Sequence, residues 1–220
     1  MPAILEPGAA CRPPSGSQGV ITCIVRNANR DPCLMSCSHV LASAPAPSLD
    51  DVVEWLDTSQ EPAAWRRAGT LWKWVQFAGG GVCNNLDMAL AILDPEIAAP
   101  FAAMDALPIA PYDLKYKGAP VSKFSGRLGR WETGTIQNLV TTQDVPFSSL
   151  GNATFTMCGL IESQVRNGAG DSGGILLVRD GPLAIHIAGD AVDRSWSVPL
   201  QRAFDEWGLQ ILSYPVPEGG

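Results

Sequence analysis

The sequence predicts an all-β fold built from two antiparallel barrels followed by a C-terminal helix. Three observations carry this. From Val20 onward the chain is a series of short β-branched and apolar runs separated by turn residues. Residues 95–117 are rich in Pro and Ala and show little β pattern, as a crossover between two halves would. One convincing amphipathic helix, 200–207, comes at the end, with Gly208 placed to stop it.

The elements follow in order. Residues 1–18, rich in Pro, Gly, Ser and Ala, read as a tail or strap. Residues 20–26 form a β-branched strand, Asn27 to Pro32 supplies turn chemistry, and 33–37 is the return strand. Runs 52–56, 65–76 and 86–93 complete a first barrel over 19–94, with Gly79-Gly80-Gly81 as a flexible loop between the last two. The second barrel, 118–212 with its helix, draws on 121–125, 133–142, 153–158, 175–178, 184–188 and 195–198.

Bulk properties narrow the function. The chain has 220 residues, 46% hydrophobic residues and a net charge of −7, which suits a packed core and offers nothing to a phosphate backbone. The one basic cluster, Lys115, Lys117, Lys123, Arg127 and Arg130, reads as a solvated face. No apolar run approaches the length of a membrane span, so neither nucleic acid nor membrane is an expected partner. The N-terminus lacks a basic region and a long apolar core, so the expected location is cytoplasmic, or secreted if a leader has been removed.

Three segments carry chemistry. Gly170-Asp171-Ser172-Gly173-Gly174 has the form of a nucleophile loop. His39, one of two histidines in the chain, ends a strand in Ser36-Cys37-Ser38-His39-Val40. Asp87 opens the apolar run Leu86 to Ala91. A serine hydroxyl is a poor nucleophile until a base takes its proton, and that base must be held in one tautomer. Ser172, His39 and Asp87 are expected in those roles. Asp94, before Pro95, is the alternative acid, although its setting suits a turn better. The backbone N–H groups of Gly170 and Ser172 are expected to form an oxyanion hole. Asp171 is expected to orient the loop, its partner unspecified.

The order His, Asp, Ser is that of chymotrypsin. Together with Gly126-Arg127-Leu128-Gly129-Arg130-Trp131-Glu132-Thr133-Gly134, similar to the turn that opens the second barrel in many bacterial members, these motifs resemble a chymotrypsin-fold, trypsin-like serine peptidase of bacterial type over roughly residues 19–212. The resemblance implies two six-stranded barrels and a serine endopeptidase that forms an acyl-enzyme and needs no cofactor. It also implies a protein or peptide substrate that pairs along 187–189. Ala184-Ile185-His186-Ile187-Ala188-Gly189 resembles the specificity strand of glutamyl endopeptidases and picornavirus 3C proteases, which implies cleavage after Glu or Gln. His186, Arg166, Asn167, Ala188 and Gly189 are the expected substrate-binding residues. Those families carry Thr where this chain has Asn167, and the alternative for His186 is a core histidine satisfied by backbone. No Ile-Val-Gly-Gly start is present, so activation by a freed N-terminus is not expected, although an activating protein partner is conceivable.

Val40 follows His39 where secreted trypsin relatives often have a cysteine, which points to reduced thiols; a Cys23–Cys37 disulfide is the alternative. Cys33, Cys37 and His39 alternate onto one face, but no fourth ligand is evident and no metal is expected. The competing function is a catalytically silent or latent peptidase-fold module that binds without turnover.

Overall fold

The structure is a computed structural model and describes residues 4–14, 16–43, 46–59, 61–190 and 193–217. The first half holds β1 (Ala10–Arg12), β2 (Gly19–Val20), β3 (Cys23–Arg26) and β4 (Pro32–Ser36), then the single-turn helix α1 (Ser38–Leu41). β5 (Val52–Asp57), β6 (Ala64–Trp74) and β7 (Ala89–Leu93) follow. After the short helix α2 (Pro95–Ala98), the second half holds β8 (Pro120–Ser125), β9 (Arg130–Phe147), β10 (Ala153–Gln164), β11 (Ile175–Val178), β12 (Gly181–Gly189) and β13 (Arg194–Pro199). The helix α3 (Leu200–Trp207) and a last strand, β14 (Gln210–Ser213), close the sequence of elements.

β8 to β13 make a closed, antiparallel six-stranded barrel in the order β10-β13-β12-β11-β8-β9. The first half is an eight-stranded antiparallel sheet in the order β14-β3-β4-β7-β6-β5-β1-β2. Its strand count exceeds the expected six because both ends of the chain join it. Cys11 of β1 pairs with Trp55 of β5, so the expected tail at 1–18 is partly built into the sheet. Ile211 of β14 pairs with Val25 of β3, so the last strand belongs to the first half, not to the second barrel. Burial of Cys11, Ile211 and Leu212 is what holds these ends in place.

Local chemistry explains the elements that position the site. The β3–β4 hairpin turns at Asn27, whose side chain accepts from the Asp31 N–H at 2.8 Å and donates to its carboxylate at 3.3 Å. β5 alternates, with Val53, Trp55 and Asp57 turned inward. In α3, Leu200, Ala203, Phe204 and Trp207 fall on one buried face, and Gly208 ends the helix in the left-handed conformation. Pro95 starts α2, and Leu107 bridges to Ile211 within the expected crossover. β9, at 18 residues, runs well beyond the predicted 133–142. Its far end and β10 cross onto the first half, where Asn84 bridges to Met157.

The main apolar core is continuous between the halves, from Leu34, Met35 and Leu90 to Val145, Ile175, Ile185 and Val198. A smaller cluster around Ile136, Leu139 and Ile161 fills the second barrel. The cysteines depart from expectation. Cys83 and Cys158 form a disulfide, whereas Cys23, which faces Met35 in register, and Cys37 are free and buried. Among the described residues no helix is long and apolar enough to cross a membrane.

Gly134 tests the packing of the β9–β10 pair. A Cβ built there lies 1.8 Å from the carbonyl oxygen of Gln164, a backbone atom with nowhere to go. Gly134→Ala is expected to lower stability by about 2–3 kcal/mol. Denaturant unfolding would show a lower midpoint at an unchanged slope; an unchanged midpoint would refute the close approach.

Candidate active site

His39 sits in the one-turn helix after β4, Asp87 lies just before β7, and Ser172 stands in the loop between β10 and β11. The fold brings the three into one hydrogen-bonded chain. His39 Nδ1 is 2.6 Å from Asp87 Oδ2, and His39 Nε2 is 2.9 Å from Ser172 Oγ. The other Asp87 oxygen accepts the backbone N–H of His39 at 3.1 Å. Asp87 accepts only, so it holds the ring proton on Nδ1 and leaves Nε2 with the lone pair facing the serine. Asp87 is wholly buried and His39 is 5% exposed, so this polarity is concentrated away from water. Asp94 lies outside this chain; both its oxygens accept from the Arg67 guanidinium at the surface.

The nucleophile loop is seated on the first half. The Val20 N–H donates to the Ser172 carbonyl at 2.8 Å, and the Thr22 hydroxyl donates to the Gly173 carbonyl at 2.7 Å. Gly173 has φ +95°, and a Cβ there would come within 2.1 Å of the Val20 carbonyl oxygen, so only glycine fits. Gly170 also has positive φ, +91°, but open space lies beside it. Among the described residues the N–H groups of Gly170 and Ser172 donate to no protein acceptor. That leaves two free donors beside Ser172, an arrangement able to receive a developing oxyanion.

Asp171, whose partner the sequence did not name, is buried at the centre of the loop's support. One carboxylate oxygen accepts from Lys123 Nζ at 3.1 Å and from the Gly168 N–H at 3.1 Å. The other accepts from the Ser125 hydroxyl at 2.7 Å and the Arg127 N–H at 3.4 Å. Lys123 was expected on a solvated basic face; it is instead wholly buried. Burial pulls its ammonium below the usual lysine range, and the Asp171 charge opposes that shift. The signal was present in the strand period: Lys123 and Ser125, two apart on β8, share one face.

A cleft of about 580 Å³ opens beside Ser172, lined among others by Phe147, Asn167, Ala188, Gly189 and His186. Arg166 is exposed and does not line it. Asn167 donates to the Arg194 carbonyl at 2.9 Å and packs across Gly189, where any Cβ would meet it at 2.3 Å. His186 is 2% exposed, and its buried Nδ1 has no hydrogen-bond partner among the described residues. Burial, aided by the positive field of Lys123, holds its pKa well below the ordinary histidine value, so the ring is neutral at pH 7. A larger groove, about 840 Å³, lies beside Tyr116, Val121 and Leu177 and contains none of these residues.

Phe147 escaped sequence reasoning. It lies beyond the strand predicted there, yet its ring stacks on His39 with centroids 4.4 Å apart. The potential ligand atoms of Cys37, His39 and Asp87 also fall within 4.8 Å of one another. They are already committed: His39 to Asp87, and the Cys37 thiol to the His186 carbonyl at 3.3 Å. Cys33, expected on the same face, is not in the group.

Lys123→Met removes the cation from a buried carboxylate and is expected to cost about 3–5 kcal/mol of folding stability. A loss below about 1 kcal/mol in chemical denaturation would mean that Asp171 does not depend on that charge.

No protein-family model matches the sequence, and no curated protein matches it. Solved structures do. Protease A of Thermobifida fusca is 16% identical with a TM-score of 0.62, over 96% of this chain and 100% of that one. A chymotrypsin from Cellulomonas bogoriensis is 18% identical with a TM-score of 0.61, over 94% and 98%. A serine protease described as glutamic acid specific, with a histidine triad in substrate binding, is 15% identical with a TM-score of 0.62, over 94% and 100%. At these identities the likeness is one of architecture, and the architecture is the chymotrypsin-like double β-barrel of bacterial serine proteases.

Proposed function

We propose that this protein is a serine endopeptidase that cleaves a protein or peptide substrate through an acyl-enzyme. The observation that carries the reading is the continuous chain Asp87–His39–Ser172 beside the undonated N–H groups of Gly170 and Ser172. As Ser172 Oγ attacks the scissile carbonyl, His39 Nε2 takes its proton, and Asp87 stabilises the resulting imidazolium. The carbonyl oxygen, now negative, accepts from the two loop N–H groups. His39 then passes its proton to the leaving amine, and water repeats the sequence on the ester. The Asp171–Lys123 pair supports the loop with a cation already inside the fold, which favours an active form that needs no newly freed N-terminus. It also weighs against a silent binding module.

For the residue before the scissile bond, we propose Glu or Gln, with His186 as the group that recognises it. Its ring borders the cleft, stays neutral and offers one N–H donor for a carboxylate or amide oxygen. The glutamic acid specific protease uses a histidine triad; this chain has two histidines in all, and the second is His39, so His186 works without histidine partners. Arg166 takes no part in this proposal because it lies outside the cleft.

Fluorophosphonate labelling tests the chemistry. Ser172→Ala is expected to abolish it, and His39→Ala to slow peptide hydrolysis by about 10⁴-fold or more. Labelling that survives Ser172→Ala would sink the assignment. A fluorogenic panel tests the pocket. Glu or Gln is expected to lead, with His186→Phe cutting that preference about 10- to 100-fold. Because the ring does not titrate there, the selectivity is expected to stay flat from about pH 6 to 8. Preference for small apolar or basic residues would overturn it.

A further inference from the structure

The β9–β10 hairpin does more than close the second barrel. Its end lays Phe147 over the His39 ring, with the planes 24° apart, and Phe77 of the first half stacks on Phe147 at 5.2 Å. Phe147 is 3% exposed, so His39 is held between an aromatic face, Asp87 and Ser172.

The same hairpin is tied covalently to the first half. Cys158, on β10, is bonded to Cys83, which lies four residues ahead of Asp87. Asn84 reinforces the tie: its N–H donates to the Thr156 carbonyl at 2.9 Å, and its carbonyl accepts from the Cys158 N–H at 2.8 Å. One sulfur–sulfur bond therefore connects the segment that leads to the acid with the hairpin that covers the base. Cys83 is exposed, whereas Cys11, Cys23, Cys33 and Cys37 are buried. Burial pushes the thiols of Cys11 and Cys33 up to about 12 and those of Cys23 and Cys37 upward too, which keeps all four poor at thiol exchange.

We propose that Cys83–Cys158 is a reducible clasp that sets how firmly Phe147 holds His39, and through it the activity of the enzyme. The functional part rests on the peptidase reading above. A thiolate of a small dithiol attacks Cys83 Sγ, the Cys83–Cys158 bond breaks, and Cys158 leaves as a thiolate that takes up a proton. The reductant's second thiol then displaces Cys83. The protein disulfide is reduced to two thiols while the dithiol is oxidised to its cyclic disulfide. Opening loosens the hairpin without freeing it, because Arg202 still donates to the carbonyls of Asn85 and Cys158 at 3.1 and 3.3 Å.

The test compares wild type and a Cys83→Ser/Cys158→Ser variant in buffers of reduced or oxidised dithiothreitol. Two quantities are followed: the rate of fluorophosphonate labelling at Ser172, and hydrogen exchange of amides 145–158. Reduction of wild type is expected to speed exchange there and to slow labelling about 5-fold or more, as small displacements of a general base do. Both changes should reverse on reoxidation, and the double variant should stay at the reduced values in either buffer. Equal exchange in the two redox states overturns the clasp, as does a redox response that persists in the double variant. If wild type labels in neither state, the peptidase reading fails by itself, and exchange still decides the clasp: faster on reduction supports it, unchanged refutes it. If the variant does not fold, alkylation of reduced wild type under native conditions replaces it. Modification confined to Cys83 and Cys158 supports the proposal, and modification of the other four cysteines refutes it.

Discussion

The candidate active site depends on a buried carboxylate, Asp171, being neutralised where water does not reach. A lone charge in that position would be strongly unfavourable. Lys123 supplies the counter-charge, Ser125 and two backbone N–H groups take up the remaining lone pairs, and the carboxylate is satisfied on both oxygens. This network spans β8, the turn after it and the loop between β10 and β11. It fixes the residue directly before Ser172, and so the direction in which Gly170 and Ser172 present their N–H groups. The buried ion pair thus supplies the frame against which the hydrogen-bonded chain Asp87–His39–Ser172 is aligned.

The two halves contribute unequally to this frame. The first gives His39 and Asp87, and its residues Val20 and Thr22 also grip the loop that carries Ser172. The second gives Ser172 and the ion pair, and its strands β9 and β10 reach back over His39. Neither half completes the site. The shared core, in which Met35 and Leu90 join one cluster with Ile175 and Val198, makes relative movement of the halves costly.

Much of this was legible in the chain, for definite physical reasons. Gly-Asp-Ser-Gly-Gly is readable because backbone geometry demands glycine at Gly173, where another residue would strike Val20. The β3–β4 turn announces itself through Asn27 and Asp31: the Asn27 side chain accepts the Asp31 N–H and donates to the Asp31 carboxylate. α3 shows its apolar stripe directly. What the sequence hid were long-range pairings. The period of β8 puts Lys123 on one face with Ser125, but lysines are nearly always solvated and the partner that makes this one buried lies far along the chain. Nor does local pattern reveal that Cys83 meets Cys158, or that β9 extends to Phe147, because both depend on where a hairpin lands after folding. Arg166 failed for the opposite reason: proximity to Ser172 in sequence does not place a side chain in the cleft.

The placement of β14 beside β3 has a consequence for how such a chain is made. β3 leads into the hairpin that delivers His39, yet one of its edges is covered by residues 210–213. During synthesis that edge must wait, unpaired, until nearly the whole of the described chain has left the ribosome. A pairing of such high sequence separation is slow to form. Completion of the sheet around His39 is thus deferred until the residues that follow α3 have emerged, and the site cannot assemble from the first half alone.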